Sequence, residues 1–337
     1  MKKKFFLLIL SLVLILSIVS GCSNKNAGDE VSTAPKEEQE QPKTLKFSFP
    51  DGLPALTAAK LDKENPAVDK NVTINYELLK APDVLVSSIL KGEPDIAIVP
   101  SNLAAQAFNK GMAYRLAGTS TWGSLYMIST EEINSFEDLK GKEIYSIGKG
   151  LTPDIVLRYV LSENGIDPDK DVTITYLNAA TELGPAFLSG KTNLAVLPEP
   201  LATTILTKKE NAKVIFDLNK EWANLTGIDE GYPQSSLIIK EDLIKDDPEF
   251  VSKFLEKYKE SSDWAMGNLG QLGDYAKELG ISVEKNAIVN AKEKLNIRFT
   301  ETKDCKDAYE KYYEVLMNFE PKTIGGKLPD EGLYFER

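Results

Sequence analysis

The chain repeats itself, and that constrains its fold more than any other feature. Phe47-Ser48-Phe49-Pro50-Asp51-Gly52-Leu53 recurs as Tyr145-Ser146-Ile147-Gly148-Lys149-Gly150-Leu151, at an offset of 98 residues. Val72-Thr73-Ile74-Asn75-Tyr76 recurs as Val172-Thr173-Ile174-Thr175-Tyr176, at an offset of 100. Leu90-Lys91-Gly92 with Ile96-Ala97-Ile98-Val99-Pro100 recurs as Leu188-Ser189-Gly190 with Leu194-Ala195-Val196-Leu197-Pro198, again at 98. Three matches in order at nearly one offset mark a duplicated unit. A chain of 337 residues has room for two domains of ordinary size.

Each copy reads strand, glycine turn, helix, strand, helix, strand, proline turn. In the second copy 143–147 is a strand, and a helix opens at Pro153 with Thr152 as its N-cap. Ile155, Val156, Tyr159 and Val160 line one face of that helix, and Gly165 stops it. Residues 172–176 are β-branched and strand-like, 179–188 form a short helix, and 194–197 are a buried strand. Alternating strands and helices predict an α/β protein with mainly parallel sheets and right-handed crossovers. Ligands in such sheets bind beyond the carboxyl ends of the strands. Those ends carry loops 50–54 and 100–102 in one copy, and 148–152 and 198–200 in the other. Two lobes presenting equivalent edges predict a ligand cleft between them.

After the second copy, 213–218 and 235–240 read as strands, the latter reached through Tyr232-Pro233-Gln234. Residues 241–318 read as largely helical and are expected to pack on the first lobe; Gly325-Gly326 breaks the tail. Lobe 1 is therefore expected at 44–121 plus 237–337 and lobe 2 at 124–233. The hinge is expected at 121–124 and 234–236, where the chain must cross.

The edge loops supply the candidate binding residues. Phe49, Asp51 and Gly52 lie at the first loop, and Ser101-Asn102 offers either a helix cap or ligand hydrogen bonds. Gly148, Gly150 and Thr152 stand at a helix start where backbone N–H groups suit ligand acceptor atoms, or form a plain turn. Pro153 stands where a dinucleotide fingerprint needs its third glycine, so no nicotinamide cofactor is implied. Pro198-Glu199-Pro200 holds a carboxylate between two rigid residues, as a ligand contact or as a helix-capping glutamate. Thr121, Trp122, Tyr232 and Gln234 fall on the crossings; Trp122 is expected in the cleft, Trp222 and Trp264 in structural roles.

Composition removes several classes. The net charge of −11 argues against a nucleic-acid partner. The chain has no histidine, so it holds no Ser-His-Asp or Cys-His site and no histidine metal ligand. Cys22 and Cys305 are the only cysteines, which excludes a disulfide framework and a cysteine-rich zinc site; Cys305 reads as an inert buried thiol. No cofactor or metal is implied. Lys2, Lys3 and Lys4 precede an apolar run from Phe5 to Val19, which suits a signal peptide over 1–21. Val19-Ser20-Gly21-Cys22 resembles the lipobox of bacterial lipoproteins, which implies a lipid anchor on Cys22. Residues 22–43 have too little apolar surface to order and read as a tether.

With these features the chain resembles the substrate-binding lipoproteins of ABC importers. The resemblance is to the nitrate/sulfonate/taurine branch, which includes binders of thiamine-pyrimidine precursors. It rests on Val19 to Cys22, Gly92 to Asn102, Ser135-Phe136-Glu137-Asp138-Leu139-Lys140-Gly141-Lys142, Gly148 to Pro153 and Pro198-Glu199-Pro200. It implies the two-lobed type 2 periplasmic-binding fold, an extracytoplasmic monomer held at the cell membrane, and delivery to a separate permease and ATPase. An enzyme of the pyrimidine-synthase type and a sensory lipoprotein are the rival readings. Among the loops Asp51, Glu199 and Asp154 stand against Lys149, with no arginine, which suits a neutral or amine-bearing ligand better than an oxyanion. Phe49, Trp122 and Tyr232 would then stack on a flat ring such as a thiamine pyrimidine, with a sulfonate, taurine or nitrate as the alternative.

Overall fold

Proline-started helices alternating with apolar strands build two sheets. The computed structural model describes residues 43–337. Cys22, the leader and the tether before Lys43 lie outside the described residues. The first copy runs β1 (Lys43–Pro50), α1 (Leu53–Glu64), β2 (Val72–Leu79), α2 (Pro82–Leu90), β3 (Ile96–Pro100) and α3 (Ser101–Asn109). Next come β4 (Tyr114–Trp122) and β5 (Leu125–Ser129). The second copy runs β6 (Glu143–Ile147), α4 (Thr152–Glu163), β7 (Thr173–Leu177), α5 (Ala180–Leu188), β8 (Leu194–Pro198) and α6 (Leu201–Lys208). Then follow β9 (Lys213–Asp217), α7 (Leu218–Thr226) and β10 (Pro233–Lys240). The chain ends with α8 (Glu241–Asp246), α9 (Pro248–Gly267), α10 (Leu269–Leu279), α11 (Lys285–Asn290), β11 (Ile297–Glu301) and α12 (Lys306–Phe319).

The first sheet has the order β11-β4-β10-β3-β1-β2 and the second β7-β6-β8-β5-β9. β2-β1-β3 and β7-β6-β8 are the two copies of one parallel motif. The strands added to them, β10, β4 and β11 in one sheet and β5 and β9 in the other, each pair antiparallel with their neighbours. The chain passes between sheets after Trp122 and returns before Pro233, and these two residues pair across β4 and β10. The crossing is tight: a Cβ on Gly123 would lie 1.9 Å from Asn219 Oδ1.

Three local expectations change. β11 falls inside the stretch read as helical. Buried Ile297 and Phe299 alternate with exposed Arg298, a strand period that places it at the edge beside β4. Thr152 is the first helical residue and makes no capping bond; extended Leu151 precedes it. Its hydroxyl pairs instead with Tyr312 Oη at 2.9 Å. The late helix α12 does not stay with the first sheet. Tyr309 pairs with Ser236 on β10 (2.6 Å), while the Tyr312 ring packs 5.5 Å from Trp222 on α7. One hydrophobic core therefore runs under both sheets and contains Trp122, Trp222 and Tyr232.

Cys305 is buried in that core, its thiol facing the carbonyls of Thr300 and Glu301 at 3.5 and 3.3 Å. Burial pushes the thiol pKa up to about 11, so little thiolate forms near neutral pH. Iodoacetamide should leave Cys305 unmodified in the native protein and label it after denaturation. Native labelling, read by peptide mapping, would refute the structural role.

Candidate functional site

A cleft of about 370 Å³ opens where the strands end. Pro50, Leu79 and Pro100 close β1, β2 and β3 on one side; Ile147 and Pro198 close β6 and β8 on the other. Proline ends three of these strands because it has no N–H to continue a ladder. Leu125, Gln234 and Ser235 border the cleft beside the crossings. The walls are mostly aliphatic, with Leu53, Leu85, Leu151, Leu201 and Val283 among them, and no described lining residue is aromatic or arginine.

Of the helices that start at this cleft, three, α1, α4 and α6, have a carboxylate of the chain itself at the start. Asp51 Oδ1 accepts the N–H groups of Gly52 and Ser282, both at 2.8 Å. Asp154 Oδ2 accepts Gly150 N–H at 2.7 Å, and its Oδ1 accepts the Tyr176 hydroxyl at 2.5 Å. Glu199 Oε2 accepts Thr203 N–H, and its Oε1 accepts the Thr203 hydroxyl, both at 3.1 Å. These carboxylates occupy the ends where partial positive charge would otherwise attract an anion. Burial pushes the carboxyls of Asp154 and Glu199 above the ordinary range; Tyr176 and Thr203 respectively oppose that shift. At the mouth, Lys208 on α6 meets Glu284 before α11 at 2.6 Å.

Of the expected binding residues, Asp51, Gly52, Gly148, Glu199, Pro200 and Gln234 line this cleft. The others do not. Phe49 points into the core with Phe47, 5.2 Å between rings, because strand alternation turns both away from the loop. Trp122 is buried, its Nε1 donating to Thr300 Oγ1 at 3.3 Å. Tyr232 is buried with its ring 5.6 Å from Trp222. Ser101 pairs with Ser236 (2.7 Å), and Thr121 with Ser235 (2.6 Å). Gly150 in the turn and buried Thr152 at the head of α4 do not line the cleft either; the Gly150 N–H is held by Asp154. Asn102 is fully buried and donates to Gly150 O (3.0 Å) and Thr323 O (3.1 Å), tying the glycine turn to α3 and the tail. Lys149 lies over the Tyr176 ring at 5.4 Å, outside the cleft.

Sequence reasoning missed three wall segments: 79–85, 179–188 and 282–284. The first two follow β2 and β7, so the same carboxyl-edge rule, applied to every strand of the repeat, finds them. Nothing local marks Ser282 to Glu284, which arrive from a distant helical stretch.

The profile of the NMT1/THI5-like family matches residues 71–268, from the end of the first β-α unit to the end of α9. The chain belongs to that family. The curated relatives include a binding protein of Bacillus subtilis (strain 168), YtlA, 24% identical over 187 residues, 54% of each chain. This family member thus spans about half the length of the curated relatives it matches. A solved ABC transporter structure from Parabacteroides distasonis is 28% identical, covers 87% of this chain and 99% of its own, and superposes with a TM-score of 0.71. The periplasmic aliphatic sulphonate binding protein SsuA from Escherichia coli shares the fold at 16% identity, with a TM-score of 0.67 over 88% of this chain and 93% of its own. The two-sheet α/β architecture of this NMT1/THI5-like protein is therefore that of the periplasmic binding proteins. Among the described residues no helix is long and apolar enough to cross a membrane.

Proposed function

We propose that this protein is the extracytoplasmic binding component of an ABC importer. It captures a small molecule and delivers it to a permease and ATPase carried on separate chains, and Cys22 anchors it by lipid. The cleft carries this reading, since it lies between the carboxyl edges of two duplicated sheets joined by two adjacent crossings. Lobes 44–121 plus 237–337 and 124–233 turning about 121–124 and 234–236 would open and close that cleft around a ligand. The Lys208–Glu284 pair lies at the mouth, where it would form on closure. We read the protein as a carrier and not an enzyme of the pyrimidine-synthase type: Asp51, Asp154 and Glu199 all accept structural hydrogen bonds, and the chain has no histidine.

The ligand is uncharged or amine-bearing. Three carboxylates already stand at the starts of α1, α4 and α6, and no arginine lines the wall. Lys80 stands exposed at the rim, and Lys208 is paired. A thiamine pyrimidine keeps this charge argument but loses the stacking partners, since Phe49, Trp122 and Tyr232 are core residues. The aliphatic wall favours an aliphatic body instead. It would also suit the body of an alkanesulfonate, the ligand class named for SsuA, but it offers that head group only Lys80 at the rim as a counter-charge. Calorimetry against an aminopyrimidine, taurine, an alkanesulfonate and nitrate tests the sign: neutral or cationic ligands should bind and the anions should not. Tight alkanesulfonate or nitrate binding that persists in Glu199→Gln would sink the charge assignment.

A further inference from the structure

We propose that Gln234 selects the ligand's polar end, and that the selected end is a neutral hydrogen-bond acceptor on an aliphatic body. This rests on the cleft being the binding site. Gln234 stands at the start of β10, beside the return crossing, and borders the cleft. Its amide orientation is dictated by its neighbours. Ser124 N–H, 2.8 Å away, can only donate, so the atom facing it is the oxygen Oε1. The Ser124 hydroxyl (3.2 Å) and the Tyr232 hydroxyl (3.5 Å) donate to the same oxygen. That oxygen is saturated: two of its three donors come from Ser124 on the outgoing crossing and one from Tyr232 on the return crossing.

The amide nitrogen has no such partner. Among the described residues Nε2 makes no hydrogen bond, and it is not one of the sealed, unpartnered buried atoms. It is therefore open to the cleft, as a donor with no acceptor character. A donor set in an aliphatic wall favours a ligand that accepts from it, because an unpaired polar group loses its water without compensation. An alkylammonium brings donor against donor. A carboxylate would accept, but it must enter a cleft already lined by the carboxylates of Asp51 and Glu199. An amide, lactam or ketone oxygen, or an unprotonated ring nitrogen, meets every condition. This narrows the neutral or amine-bearing class to its neutral members.

Three probes share one apolar body and differ only at the end: hexanamide, hexylammonium and hexanoate. Titrated by calorimetry or NMR into the full chain, hexanamide should bind best. Gln234→Glu keeps an oxygen for Ser124 N–H and turns the cleft-facing atom into an acceptor. It should shift the amide-to-ammonium preference by about tenfold or more toward hexylammonium, the scale of one hydrogen bond gained and one lost. Gln234→Leu should lose hexanamide without gaining hexylammonium. If Gln234→Leu fails to fold, Gln234→Glu carries the test alone. A variant that weakens all three probes by one common factor makes Gln234 merely structural and overturns the inference, as does a wild-type preference for hexanoate or hexylammonium. Wild-type protein that binds none of the three defeats instead the reading of the cleft as a small-molecule site.

Discussion

Asn102→Leu should destabilise the protein by about 2–6 kcal/mol, because it strands two carbonyls at about 1–3 kcal/mol each. The carbonyls are those of Gly150 and Thr323, which share the two hydrogens of one buried amide nitrogen. Gly150 O keeps some access to solvent, so the lower half of the range is the firmer expectation. The amide oxygen adds a weaker contact, accepting from Thr152 Oγ1 at 3.4 Å. Leucine has nearly the same shape and no polar atom, so the loss measures hydrogen bonding and not a void. Asn102→Asp should behave in the same direction, since a carboxylate has no donor for either carbonyl. Urea denaturation of the three proteins reads the difference. A loss within about 0.5 kcal/mol, the usual effect of a surface change, would show that the bridge carries no weight.

Trp222→Ala should cost about 3–5 kcal/mol, the range for deleting a large buried aromatic. The indole is 1% exposed, with the rings of Tyr159, Tyr232 and Tyr312 at 5.1, 5.6 and 5.5 Å. Those rings come from α4, from the return crossing and from α12, so one side chain holds together elements of both sheets. Trp222→Phe should recover part of the loss by keeping an aromatic edge in place. Because the hydrophobic cluster around Trp222 reaches both sheets, denaturation of the alanine variant should remain a single transition at a lower midpoint. Two separated transitions in calorimetry would mean that the sheets melt independently and that the shared core does not couple them.

The repeat was legible because strand and helix signals are local. Phe47 to Leu53 and Tyr145 to Leu151 announce the same strand-turn-helix unit. The carboxyl-edge rule then located Asp51, Gly148 and Glu199 at one cleft, and the need for a return crossing located Gln234, without any knowledge of packing. Glu199 shows where such reasoning stops. Its place between two prolines predicted a rigid carboxylate at the edge, and that is where it lies. Which donor it serves, a ligand or Thr203, depends on how α6 leaves the strand.

The sequence by itself determined the duplicated α/β plan, the edge that carries the site and the shortage of positive charge there. Periodicity, turn residues and charge are all read from neighbours along the chain. Only the tertiary structure decided which side chains face the cleft. Phe49, Trp122 and Tyr232 looked like ring-stacking residues but are core, because their direction follows from the sheet face against which α1, α7 and α12 pack. Strand β11 lay unseen inside a helical stretch, since its edge position exists only once β4 is placed. Ser282 to Glu284 reach the wall from more than two hundred residues beyond Asp51, whose carboxylate takes the Ser282 N–H. No spacing rule spans that distance, because the contact is made by the packing of α10 and α11 against α1 and α6 and not by anything adjacent in the chain.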